Sequence, residues 1–171
     1  GGSGNDTISG LTGDDVVNAG AGDDRFDDTS TGNGNDTLNM GEGNDTAYGG
    51  DGTDTIHGDE GDDKLYGESG NDTITGGEGN DAIDGGTGDD TAVFSGNWAD
   101  YTITESGGTY TVVDNRPGSP DGTDTVKNVE FFEFVDGTTT ADDVIDVGPS
   151  DIDLSATSID ENSSAGTVVA T

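Results

Sequence analysis

An aspartate returns every nine residues through the first half of this chain, at Asp6, Asp15 and Asp24 and then, after one change of phase, at Asp36, Asp45, Asp54, Asp63, Asp72, Asp81 and Asp90. Each has a glycine two positions before it: Gly4, Gly13, Gly22, Gly34, Gly43, Gly52, Gly61, Gly70, Gly79 and Gly88. A fixed short period means that one small unit stacks repeatedly on itself, because no single unit of this size encloses a core. These residues are therefore expected to form a solenoid.

The register divides the repeats into two blocks. Gly1 to Ser9, Gly10 to Asn18 and Ala19 to Asp27 form three units; Asp28 to Ser30 then interrupt, and seven units run from Thr31–Asn39 to Gly85–Val93. Glycine holds the fourth place and aspartate the sixth in all ten. In Gly67–Thr75, the first six residues read as a turn and Thr73-Ile74-Thr75 as a strand. Glycines supply the positive φ angles of such a turn, and asparagine tolerates them better than most residues. The middle strand residue points inward because side chains alternate along a strand. That inward set is Ile8, Val17, Phe26, Leu38, Ala47, Ile56, Leu65, Ile74, Ile83 and Ala92. One apolar side chain per unit is a thin core.

Composition sharpens the problem. With 38 acidic residues against 4 basic ones, a net charge of -34 and 26% hydrophobic residues, a bare chain falls in the range of disorder. Self-repulsion opposes compaction until a counter-charge arrives. Without cysteine the counter-ion must be held by oxygen, which leaves calcium, magnesium or manganese. The sign of the charge excludes nucleic acid and anionic membrane surfaces as partners, and no stretch is apolar enough to insert into a membrane.

With two units in each flattened coil, a unit stacks on the next but one and the turns form two columns. One column carries Asp36, Asp54, Asp72 and Asp90; the other carries Asp45, Asp63 and Asp81. An ion between stacked turns would receive two aspartate carboxylates and the carbonyls of the glycine loops, about six oxygens in all, as calcium prefers. Magnesium fits a carbonyl-lined slot less well, since it holds its waters and demands a tighter octahedron. Ten units give roughly six to eight inter-turn calcium sites, with the 28–30 insertion costing one or two. Leu11, Asp59 and Glu68 replace the second glycine of their units; if that place needs an unusual φ, the sites there are weakened.

The unit resembles the calcium-binding nonapeptide of the repeats-in-toxin (RTX), hemolysin-type family of secreted bacterial proteins, and the resemblance covers residues 1–93. It implies an all-β, right-handed parallel β-roll with calcium in the turns. It also implies export, as part of a longer protein, by type I secretion machinery that passes the chain unfolded, with folding in extracellular calcium. The ten aspartates would supply carboxylates and the ten fourth-place glycines their carbonyls. The competing reading, turn-forming aspartates in a metal-free solenoid, is opposed by the uninterrupted spacing and the excess charge.

Beyond Ala92 the glycine period stops. Trp98, Tyr101-Thr102-Ile103, Tyr110-Thr111-Val112-Val113, Val126 and the run from Val129 to Val135, punctuated by Gly107-Gly108, Pro117, Pro120 and Asp136-Gly137, read as short antiparallel strands. Residues 94–147 are expected to cap the last open coil. Gly148-Pro149-Ser150 reads as a linker, and 151–171 resembles the first strands of a bacterial cadherin-like domain, where Glu161 stands at a calcium-binding place of that family but, as a lone carboxylate, reads as solvated.

No catalytic pair has a basis in the sequence. His57, the only histidine, falls on an outward strand position, and neither a zinc-protease helix motif nor an EF-hand loop occurs. The repeats are therefore expected to be non-enzymatic. Two settings remain open at this point: part of a secreted or cell-surface adhesin, favoured by the cadherin-like tail, or an export-and-folding module of a secreted protease, lipase or polysaccharide-modifying enzyme. An ice-binding surface is excluded because the third and fifth turn positions carry no regular array of threonine and asparagine.

Overall fold

The structure is a computed structural model that describes residues 1–10, 12–28 and 33–145. The cadherin-like segment, Leu11 and residues 29–32 lie outside the described residues. Apart from one 3-10 turn at Trp98–Asp100, the described chain is all β. In the repeats the strands are β1 (Gly2–Ser3), β2 (Thr7–Ser9), β3 (Val16–Ala21), β4 (Arg25–Asp27), β5 (Thr37–Glu42), β6 (Thr46–Asp51), β7 (Thr55–Glu60), β8 (Lys64–Ser69), β9 (Thr73–Glu78), β10 (Ala82–Thr87) and β11 (Thr91–Val93). After them come β12 (Tyr101–Ser106), β13 (Thr109–Asp114), β14 (Thr123–Lys127), β15 (Phe131–Phe134) and β16 (Gly137–Thr140).

Odd and even repeat strands separate into two parallel sheets, β1-β3-β5-β7-β9-β11 and β10-β8-β6-β4-β2. This is the solenoid of two units per coil that the period implied. Thr55, Ile56 and His57 lie beside Thr73, Ile74 and Thr75, so each inward side chain stacks on the inward side chain of the next coil. Across the phase change Val17 lies beside Leu38 and Phe26 beside Ala47, so the inward file continues. Phe26, Leu38, Ala47, Ile56, Leu65, Ile74, Ile83 and Ala92 are buried. Ile8 and Val17, on the first coil described, are partly buried. Met40 and Ala19, at the first place of their units, join the core as well.

The strands are longer than the three residues expected. In β7, pairing skips Gly58 and resumes with Asp59 beside Gly77 and Glu60 beside Glu78. The reason is that stacked coils set each turn's backbone N–H and C=O groups opposite those of the next coil, where they pair. Hydrogen bonds therefore continue rung to rung through the turns: the Gly43 N–H donates to the Glu60 carbonyl (2.8 Å), and the Gly61 N–H to that of Glu78 (2.8 Å).

The C-terminal region begins as a continuation of the coil. β14 pairs parallel with β10, setting Val126 beside Ile83, and β15 pairs parallel with β11, setting Phe132 beside Ala92. Antiparallel pairing then takes over, β12-β13-β14 on one sheet and β15-β16 on the other, which covers both sheet edges at this end. Phe94, Tyr101, Phe132 and Phe134 fill the space under these strands.

Candidate metal centre

Each turn aspartate has two oxygens with different fates. In one column the N–H groups of Asp15, Asp36, Asp54 and Asp72 donate to Oδ1 of Asp36, Asp54, Asp72 and Asp90, each at 2.8 Å. In the other, Asp6, Asp24, Asp45 and Asp63 donate in the same way to Asp24, Asp45, Asp63 and Asp81 at 2.6–2.9 Å. The bond fixes the carboxylate across the stack. Its other oxygen, Oδ2, is buried and has no hydrogen-bond partner in Asp24, Asp36, Asp45, Asp54, Asp63, Asp72, Asp81 and Asp90. A buried, unsatisfied carboxylate oxygen is costly, and here it recurs at every inner rung.

The surroundings of Oδ2 are made of oxygen. A Cβ built on Gly58 would collide with Oδ2 of Asp63 and the carbonyl oxygen of Gly76; one on Gly67 would collide with Oδ2 of Asp72 and the carbonyl oxygen of Gly85. In the units that open with glycine, a slot lined by a carboxylate and a carbonyl passes directly over its Cα; Ala19 and Met40 hold that place in the units of Asp24 and Asp45 and turn their side chains into the core. The fourth glycines, named from sequence, stack in file: Gly52, Gly61, Gly70, Gly79 and Gly88 each lie against the carbonyl of the fourth glycine in the adjacent coil, at φ between 132 and 152°. Among the described residues no three acidic or histidine side chains converge, so any cation must draw heavily on the backbone. Paired carboxylate and carbonyl oxygens, with no sulfur or imidazole, form the donor set of a hard cation such as calcium.

Electrostatics agree with that donor set. Burial, reinforced by neighbouring carboxylates, pushes Asp63 and Asp72 up to about 7 and Asp54 and Asp81 up to about 6, against the pull of the N–H bond from the previous rung. Asp45 and Asp90 move the same way for the same reason. A dication in the slot offsets the charge that burial penalises.

Asp6 and Asp15, on the open end, are half-buried. Asp59 and Glu68 stand at φ 75° and 77°, so the second place of the unit does require the left-handed region, as its usual glycine suggested. Three features escaped the sequence reading. The first is the first-place glycine just described, visible as the conserved spacing of Gly49, Gly58, Gly67, Gly76 and Gly85 within the repeats. The second is Asp28, which follows Asp27 in the file of Gly10 and is 3% exposed, with an unpartnered Oδ1 that a Cβ on Gly10 would meet. The third lies outside the repeats. Asp81 and Asp90 donate their N–H groups to Oδ1 of Asp124 and Oε2 of Glu130, both at 2.8 Å. Gly122-Thr123-Asp124-Thr125-Val126 carries the repeat's glycine, aspartate and apolar residue at the right spacing, and was legible in principle.

An outer ladder of fifth-place residues accompanies the inner one. The N–H groups of Thr53, Asp62, Asn80 and Asp89 donate to Oδ1 of Asn35, Asn44, Asp62 and Asn71 at 2.8–3.1 Å, a role that the side-chain oxygen of either asparagine or aspartate fills.

Comparison with known families identifies one match. The model of the RTX calcium-binding nonapeptide repeat (4 copies) matches residues 1–27, 30–65 and 57–92, more than half of the chain. No curated protein matches it.

Proposed function

Since this chain belongs to the RTX calcium-binding nonapeptide repeat family, we propose that its repeats are a folding switch: unfolded during export, then condensed by extracellular calcium within a larger secreted or cell-surface, adhesin-like protein. The observation that carries the reading is the file of buried Oδ2 atoms without partners. A chain built to fold without metal would not leave the same oxygen orphaned at every inner rung.

Asp6, Asp15, Asp24, Asp36, Asp45, Asp54, Asp63, Asp72, Asp81 and Asp90 are the proposed carboxylate ligands, with carbonyls from the first-place and fourth-place glycines, for roughly six to eight ions. Bound calcium supplies two positive charges per slot. The residues do the rest: Oδ1 accepts the neighbouring rung's N–H and so orients the carboxylate, Oδ2 faces the slot, and in the units that open with glycine the absence of a Cβ keeps the slot open. Ion binding and folding are then a single equilibrium, because the slot exists only between stacked turns. The β-roll is a structural calcium-binding fold and performs no catalysis.

Far-UV circular dichroism during parallel calcium and magnesium titrations tests the switch. The expected result is a cooperative transition from coil to β-structure at about 0.1–1 mM calcium, the range of extracellular modules, with none in magnesium. Complete β-structure in chelator would overturn it.

A further inference from the structure

We propose that the cation ladder does not end with the repeats: Asp124 and Glu130 form one further rung on each column and, with the backbone carbonyl of Asn128, bind the terminal calcium ions together with Asp81 and Asp90. The proposal rests on the repeats being calcium sites and carries that reading past residue 92, where the family match stops.

Register puts these residues in place. Thr125 lies beside Ala82 and Phe131 beside Thr91, so Asp124 stands to β14 as Asp81 stands to β10, and Glu130 to β15 as Asp90 to β11. The hydrogen bonds repeat as well. The Thr125 N–H donates to the Asp81 carbonyl (2.8 Å) and the Phe131 N–H to the Asp90 carbonyl (3.0 Å), as the Thr91 N–H does to that of Asp72 (2.8 Å). Gly122, at φ 67°, lies against the Gly79 carbonyl as Gly79 lies against that of Gly61. The Thr123 N–H bonds Oδ1 of Asn80 (3.0 Å), extending the outer ladder.

The slot continues too. A Cβ on Gly85 would meet the Asn128 carbonyl oxygen and Oδ2 of Asp90, in the same way that one on Gly67 meets the Gly85 carbonyl and Oδ2 of Asp72. Asn128 reaches this position at φ 52°, a left-handed conformation that asparagine accepts. Glu130 replaces aspartate where the chain enters the rung without a glycine turn; the extra methylene lets its carboxylate reach the Asp90 N–H.

Two observations point independently to a ligand. Oδ2 of Asp81 and of Asp90 are buried without partners, in residues 2% and 0% exposed. Asp124 is 3% exposed and borders a cavity of about 20 Å³ that Gly76, Gly77, Ser95 and Asp121 also line, enough for a single water or ion. Asp121 is committed to Arg116, Ser95 and Tyr101. The Asp81 N–H bonds Oδ1 of the Asp124 carboxylate, as the N–H of each earlier rung bonds Oδ1 of the next.

The test uses the full chain and the variants Asp124→Asn and Glu130→Gln, whose amide oxygens can still accept the N–H bonds. A role confined to that hydrogen bond therefore survives substitution, whereas a carboxylate ligand is lost. Bound calcium is counted by equilibrium dialysis, and Trp98, stacked on Phe134, reports the C-terminal region by fluorescence. Each variant should bind about one ion fewer, and its Trp98 transition should move to about tenfold higher calcium. Asp54→Asn serves as a mid-ladder reference. If it lowers the count while both other variants match the parent in count and in Trp98 midpoint, the extension is wrong and the repeat sites stand. If the parent binds no calcium, both readings fall.

Discussion

The roll and the region that follows it bury the same chemical group and neutralise it in opposite ways. In the C-terminal region Asp114 and Asp121, with side chains 0% and 8% exposed, are met by the Arg116 guanidinium at 2.8 and 2.9 Å. Burial alone would raise Asp114, but the Arg116 hydrogen bonds and charge outweigh it and hold the carboxyl below its usual range. In the roll, Asp63 and Asp72 are as deeply buried, no cationic side chain bonds them, and both are pushed up to about 7. The Asp114–Asp121 cluster carries its counter-charge in the chain, whereas the roll's aspartates have none there and, on the function proposed above, take it from calcium in solution. On that proposal, ion concentration controls the charge balance of the roll's aspartates and leaves that of Asp114 and Asp121 untouched.

The sharpest break of this comparison is Arg116→Ala. It strands two buried carboxylates and removes the partner of Ser95 and Tyr101. The expected loss is about 3–5 kcal/mol, measured by chemical denaturation at saturating calcium and followed through Trp98. Raising calcium further should not restore it. Rescue by calcium would mean that this cluster, too, is an ion site, and the distinction would fail.

The roll's counterpart is Asp63→Asn. The amide oxygen can still accept the Asp45 N–H, but the carboxylate serving the slot is gone. A calcium midpoint raised about tenfold is expected, equivalent to about 1.4 kcal/mol, and saturating calcium should recover most of the β-signal. A loss that calcium cannot recover would assign Asp63 to packing.

The sequence carried the roll further than the ending because a period exposes whatever repeats with it. The two columns, the inward file from Phe26 to Ala92 and the φ demand at Asp59 and Glu68 all follow from residues nine apart. What the period cannot display is a partner inserted elsewhere in the chain. Asp124 and Glu130 follow Asp81 and Asp90 by 43 and 40 positions, because the β12–β13 hairpin intervenes before the coil resumes. Asp28 was hidden for a related reason: as part of an interruption it had no register until the strands on either side fixed one. The division of labour between Oδ1 and Oδ2 lies in hydrogen bonding between coils, which a one-dimensional pattern does not contain.

The smallest effect probes the turn backbone itself. Glu68 lies between Gly50 and Gly86 in its file and holds φ 77° where they hold 104° and 108°. A left-handed conformation costs a residue with a Cβ about 1–2 kcal/mol, and burial beside Asp27, Asp51 and Asp84 further raises the Glu68 carboxyl. Glu68→Gly should therefore stabilise the roll by about 1 kcal/mol. Gly86→Ala should do the reverse and by more, since its Cβ would strike the Glu68 carbonyl as well as strain φ. The gain in Glu68→Gly should appear twice, in denaturation at saturating calcium and as a lower calcium midpoint, because the proposed switch makes folding and ion binding one equilibrium. A gain in the first without the second would uncouple folding from ion binding in the roll.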